Sequence, residues 1–129
     1  MSTLKVNTIQ DASGGNSSTA AEIQQGRAKA WCSWLGNSAT TIEDSFNCSS
    51  VTDQGTGKYL VNFSITFSNT NYIAVTDGRD NPTNDSNSSD RASLRLVAFN
   101  ATNMGVRGTN SNNSFVDLFQ LNVVIFGDG

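Results

Sequence analysis

Side chains able to carry chemistry are few in this sequence, and the missing types narrow the options most. No histidine occurs among the 129 residues, which removes the commonest general base and metal ligand. Cys32 and Cys48 are the two thiols. Two cysteines without imidazole do not complete a four-ligand zinc site, and a thiol or hydroxyl nucleophile finds no base beside it. Eleven carboxylates remain. Glycan hydrolysis needs two that flank one bond, but Glu43 and Asp44, the pair inside a strand-like run, are neighbours and point to opposite faces. The reading is non-enzymatic, with no cofactor and no metal.

The densest polar cluster is DGRDNPTNDSNSSD, residues 77–90. Asp77, Arg79, Asp80, Asn84, Asp85 and Asp90 are its candidates for contacting a sugar or protein receptor, because long polar loops on rigid β scaffolds are where binding concentrates. A calcium loop and a plain solvated connection stay open beside that reading, although the spacing is not that of an EF-hand. Trp31 and Trp34 have rings on which a pyranose could stack. The strand pattern instead assigns Trp34 to the core and Trp31 to a neighbouring subunit or the short helix.

The elements that must hold these residues follow from a polar, strand-favouring composition. Asn, Ser and Thr number 16, 17 and 13, and all three compete with helical backbone for hydrogen bonds. Leu4 and Val6 alternate with Lys5 and Asn7 in a short strand ending at Thr8-Ile9, and DASGGNSS, residues 11–18, reads as a flexible turn-rich linker. Thr19-Ala20-Ala21-Glu22 has capping-box spacing, which predicts a helix over 19–25 stopped at Gly26.

From residue 28 the period is two, punctuated by Asn, Asp and Gly, and seven or eight strands in an all-β, antiparallel, jelly-roll-like sandwich are expected. The clearest run is 58–67, with Tyr59, Val61, Phe63, Ile65 and Phe67 on its buried face. The run before it places Ile42, Phe46 and Cys48 on one parity. A loop over 52–57 then sets Cys48 opposite Val61 and Phe46 opposite Phe63, and this pairing predicts two buried thiols rather than a disulfide. In 28–35, Cys32 and Trp34 share one face and Trp31 and Leu35 the other, so something outside the sheet must cover the second. The runs 71–77, 91–99 and 115–126 follow. The last, FVDLFQLNVVIF, is apolar on both faces, as in a central strand or a subunit contact. Trp31, Phe115 and Phe119 are therefore the candidates for a subunit interface. The chain divides into an arm and helix, 1–27, and a head, 28–129.

The formal charge is −3. Lys5, Arg27 and Lys29 against Asp11 and Glu22 leave residues 1–30 at +1, so 31–129 carry −4. Without a basic cluster, an apolar span or a basic amphipathic helix, neither nucleic-acid binding nor membrane insertion is expected. The start MSTLKVNTIQ lacks the pattern of a secretory signal, which predicts synthesis in a cytoplasm and reduced cysteines.

One resemblance extends this reading. Residues 28–75, AKAWCSWLGNSATTIEDSFNCSSVTDQGTGKYLVNFSITFSNTNYIAV, resemble a module found near the ends of phage tail-fibre and related receptor-binding proteins. ASLRLVAF and LNVVIFGDG are similar to that module's last strands, and STLKVNTIQDASG, residues 2–14, to the start of many tail-fibre-like proteins of marine phages. AKAW, SFN-x-SS, D-x-G-T-G-x-Y and VNF occur in the family's order. The chain departs at Cys32 and Cys48, usually valine there, and at Trp34, usually phenylalanine, while keeping apolar bulk. The resemblance implies a β-sandwich at a virion surface, made in the host cytoplasm and assembled as a homotrimer. Its implied partners are other virion proteins, of tail or capsid, and a host cell-surface glycan or protein receptor. Leu4, Val6 and Ile9 are then the candidates for virion anchoring, by adding a strand to a neighbour's sheet edge. A capsid-decorating fibre and a free lectin-like trimer are the alternatives.

Overall fold

The computed structural model describes residues 1–37, 39–79, 93–110 and 112–127. The arm contains a two-stranded hairpin, β1 (Thr8–Ile9) against β2 (Ser18–Thr19), so the strand expected from Leu4 begins only at Thr8. The turn-rich segment expected over 11–18 makes the turn of this hairpin, with Ser18 already in β2. The Asp11 carboxylate accepts bonds from the Ser13 amide (3.1 Å), the Ser13 hydroxyl (2.8 Å), the Gly15 amide (2.8 Å) and the Asn16 side-chain amide (3.2 Å). These bonds, the Ser13 hydroxyl foremost, hold the Asp11 carboxyl below its ordinary range. Helix α1 (Ala20–Gly26) starts on the expected capping box: Thr19 Oγ1 accepts from the Glu22 amide at 3.2 Å and the Glu22 carboxylate from the Thr19 amide at 2.7 Å.

Among the described residues, eight further strands build the sandwich. β3 (Ala30–Leu35), β4 (Ile42–Phe46), β7 (Ile73–Arg79) and β10 (Gln120–Phe126) form one antiparallel sheet in the order β4-β3-β10-β7. β5 (Cys48–Asp53), β6 (Lys58–Phe63), β8 (Ser93–Val97) and β9 (Asn103–Thr109) form the second, in the order β5-β6-β9-β8. The expected fold, an antiparallel sandwich preceded by a short strand and a short helix, is the one observed. Between the sheets lie Cys32, Trp34, Leu121, Val123 and Ile125 from the first, and Val51, Tyr59, Val61, Phe63, Met104 and Val106 from the second. Phe63, Phe67, Tyr72 and Phe99 close one end with successive ring contacts, and Trp34 meets Tyr59 edge-on at 5.9 Å towards the other. The Trp34 indole N–H is buried without a hydrogen-bond partner among the described residues.

Three departures from the expected strands have local causes. A bulge in the β3–β4 pairing makes Glu43 an extra residue between Ile42, opposite Trp34, and Asp44, opposite Ser33. A one-residue insertion exchanges the faces of everything beyond it. Ile42 therefore packs on the core, whereas Asp44 and Phe46 turn outward and Phe46 lies opposite Trp31. Asn47 then adopts the left-handed region (φ 55°), and the chain crosses into the second sheet, so Cys48 opens β5 opposite Phe63 and Val51 sits opposite Val61. The predicted Cys48–Val61 and Phe46–Phe63 pairs do not form.

The second departure is β9. Gly105 and Gly108 interrupt its apolar alternation, yet Met104 and Val106 are fully buried. A Cβ on Gly105 would stand 2.7 Å from Val97 Cγ2, so close strand packing requires the glycine. Third, the run 115–126 is regular only from Gln120, because the Asp117 carboxylate is pulled onto the Gly57 amide (2.6 Å) and Phe115 forms an isolated bridge with Thr109.

Candidate functional site

The register of the first sheet composes its outer face. Phe46 on β4, Trp31 on β3, Val124 on β10 and Val75 on β7 stand opposite one another in a single row across all four strands. Phe126 and Ile73 form the next pair on the same side. Trp31, Val124 and Phe126 are half-buried, while Phe46, Val75 and Ile73 are 48%, 59% and 67% exposed. Beyond the apolar row, the ladder turns polar: Asp44, Ser33, Asn122 and Asp77 in one line, then Gln120 and Arg79, with the apolar Leu35 at the end of their line. Gln120 Nε2 donates to Ser33 Oγ at 2.9 Å and to the Glu43 carboxylate at 3.3 Å, fastening the polar half across strands.

The outer face of the second sheet is finished differently. Asn62 Nδ2 donates to Ser50 Oγ and Thr52 Oγ1, both at 3.0 Å, and the Arg107 guanidinium reaches the Tyr59 carbonyl (3.1 Å) and Gln54 Oε1 (3.2 Å). Its polar groups satisfy one another, whereas the first sheet presents contiguous apolar surface, the usual mark of an interaction site.

The structure unites some of the sequence candidates and separates others. Asp77 and Arg79 are exposed on the same outer face as Trp31, and the Arg79 guanidinium lies 5.2 Å from the centre of the half-buried Phe119 ring. Phe115 belongs elsewhere: it is 45% exposed and sits beneath the Lys58 ammonium of β6, in the second sheet, at 4.6 Å. Trp31 and Phe115 thus do not share one patch. Asp80, Asn84, Asp85 and Asp90 lie outside the described residues. Leu4, Val6 and Ile9 are exposed along the arm at 85%, 43% and 57%.

Two features escaped the sequence reading. A groove of about 210 Å³ between α1 and the sandwich is lined by Gln24, Arg27, Lys29, Phe46 and Ile65, with Ala28 and Asn47. The Asn47 side-chain amide shapes it by donating to the Lys29 carbonyl at 2.7 Å. No periodicity announces this groove, because Lys29 precedes a strand and Ile65 follows one. At the opposite end, the Tyr59 hydroxyl lies 2.9 Å from both the Gly36 carbonyl and Asp117 Oδ1. Burial first, then the bond to Asp117, pushes the Tyr59 phenol well above its ordinary range.

The thiols are free and face each other. Interaction with the Cys48 thiol, together with burial, pushes the Cys32 thiol upward, while the same interaction draws Cys48 downward against the effect of burial. Among the described residues, no three His, Cys, Asp or Glu side chains cluster as a metal site, and no helix is long and apolar enough to cross a membrane.

Compared with protein-family models, with curated proteins and with solved structures, the chain matches none.

Proposed function

We propose that this chain is a non-enzymatic phage virion protein, a short trimeric tail fibre that attaches the particle to its host. The observation that carries the proposal is the apolar row Phe46–Trp31–Val124–Val75 with Ile73 and Phe126 beside it. Covering the exposed part of Phe46, Val75 and Ile73 contributes on the order of 1 kcal/mol each, and a second and third copy supply the matching surface. A closed assembly removes the row from water without leaving an open end. It also repeats any weak receptor contact, so that avidity exceeds the single-site affinity.

In this reading Asp77 and Arg79, beside the row, face the receptor near the subunit boundary. The exposed Leu4, Val6 and Ile9 join the arm to the tail. The motifs AKAW, SFN-x-SS, D-x-G-T-G-x-Y and VNF support the same assignment by resemblance.

The test is the mass of the purified chain by multi-angle scattering, together with immunolabelled particles in the electron microscope. The expected result is a trimer that Trp31→Ser weakens by at least tenfold in subunit dissociation constant, with label at the tail. A monomer at high concentration, or a trimer indifferent to Trp31→Ser and to Val75→Lys, overturns the assembly. Label on the capsid alone replaces the tail fibre with a decorating fibre.

A further inference from the structure

We propose that Cys32 and Cys48 are a covalent closure site: a two-electron oxidant of the peroxide class converts them to a disulfide that ties the two sheets together. The placement rests on backbone register. Cys32 stands opposite Ser45 on β4, and three residues later Cys48 opens β5, a strand in contact with β3. The Ser45 hydroxyl donates to the Cys48 carbonyl at 3.5 Å, which holds the start of β5 against the Cys32–Ser45 pair. Asn47, at φ 55°, makes the turn between them. Cys48 packs on the core that contains Cys32, and each thiol shifts the other's titration. A disulfide needs Cβ atoms about 4 Å apart on facing elements, and the Cys32–Ser45 pairing with the turn at Asn47 places both cysteines at the core between the two sheets. The pairing expected from sequence, Cys48 against Val61, concealed the relationship.

The two sulfurs have different access. Cys32 is 1% exposed and Cys48 half-buried, so the oxidant meets Cys48 first. Its sulfur attacks the peroxide: an S–O bond forms, the O–O bond breaks, and the departing hydroxide takes the Cys48 thiol proton and leaves as water. The Cys32 sulfur then attacks the resulting sulfenic acid, forming the S–S bond as the S–O bond breaks, and the proton of Cys32 leaves with the oxygen as water. Each sulfur gives up one electron, and one peroxide becomes two waters. Reducing cytoplasm keeps the pair as thiols during folding, and an oxidising exterior closes it. The closed loop, Cys32 to Cys48, carries the bulge and Phe46, so the bridge stiffens one edge of the apolar face. The chemistry does not depend on the oligomer proposed above.

The full-length chain, freed of reductant, is treated with dilute hydrogen peroxide and digested under non-reducing conditions. Trypsin leaves both cysteines in one fragment, so a second cleavage after Glu43 separates them unless they are bridged. The expected result is a linked pair of peptides within one chain, loss of both thiols, and a rise in unfolding midpoint of about 10 °C for a loop of this length. Reductant reverses all three. In Cys32→Ser, Cys48 is expected to be trapped by dimedone as a sulfenic acid, whereas in Cys48→Ser the remaining thiol stays unreactive. Two free thiols after treatment, links only between chains, or Cys48 carried to sulfinic acid with Cys32 still free each overturn the proposal.

Discussion

Replacing Tyr59 by phenylalanine removes one oxygen from the end of the sandwich and nothing else. That oxygen lies 2.9 Å from the Gly36 carbonyl and 2.9 Å from Asp117 Oδ1, inside a residue with no exposed surface. A hydrogen bond to a charged group contributes about 1.5–3 kcal/mol, and a buried carbonyl left without its donor costs about 1–3 kcal/mol. One hydroxyl proton serves both acceptors, so the two figures overlap rather than add. Asp117 also keeps its bond from the Gly57 amide at 2.6 Å. The expected loss is about 2–3 kcal/mol, which for a chain of this size lowers the unfolding midpoint by about 10 °C at pH 7.

The same hydroxyl carries a pH signature. Its folded-state pKa is raised above the unfolded value of about 10, so the folded protein holds the phenolic proton longer than the unfolded chain does. The contribution is complete below pH 10 and is lost as pH climbs through the folded value. The gap in midpoint between wild type and Tyr59→Phe should therefore narrow above pH 10. Tyr72, also raised by burial, is common to both proteins and cancels in the difference. Calorimetry from pH 7 to 11.5 reads the effect. A midpoint within about 2 °C of wild type at pH 7, or a gap that widens with alkali, refutes the assigned bonding.

Three further outcomes are expected. Trp34→Phe deletes an indole N–H that has no partner, so denaturant unfolding should show a loss below about 1.5 kcal/mol, against about 3–5 kcal/mol for truncation to alanine; equal losses contradict the orphaned donor. Gly105→Ala brings a Cβ to 2.7 Å from Val97 Cγ2 and 3.1 Å from the Val97 carbonyl, and a cost of about 1–3 kcal/mol should appear in the same assay. Deleting residues 1–10 should leave the midpoint of the head unchanged but abolish incorporation into particles, measured by immunoblot of purified virions; normal incorporation removes Leu4, Val6 and Ile9 as the anchor.

The parts of the fold that could be read from sequence are those in which local pattern and tertiary packing agree. Tyr59, Val61 and Phe63 alternate inward as written, Thr19 and Glu22 cap the helix they announce, and Trp31 faces away from Cys32 and Trp34. What escaped depends on relations between strands. β9 buries Met104 and Val106, but its glycines answer to Val97 and to residues near Leu118 rather than to a period of two. Trp31 was legible as an outward residue, whereas its companions Phe46 and Val75 were not, because membership of a row is a property of register. The groove beside α1 likewise depends on Asn47 reaching back to the Lys29 carbonyl.

The bulge at Glu43 links these observations. With straight pairing beyond Ser33, Asp44 would oppose Cys32 and enter the core, where a lone carboxylate costs far more than any apolar contact returns. The extra residue sends Asp44 outward and brings Ser45 opposite Cys32, at the cost of exposing Phe46. That cost alone does not account for the face, because Val75, Ile73 and Val124 stand on strands that the bulge does not touch. Their side chains could be threonine or serine without loss to the core, since all three point away from it. An apolar residue at each of the four positions of one row argues that the surface is shaped for contact with another molecule. Three residues beyond Asp44, the chain turns at Asn47 and opens β5 with Cys48 on the core that holds Cys32. One irregularity in pairing therefore sets both the edge of the apolar face and the approach of the thiols.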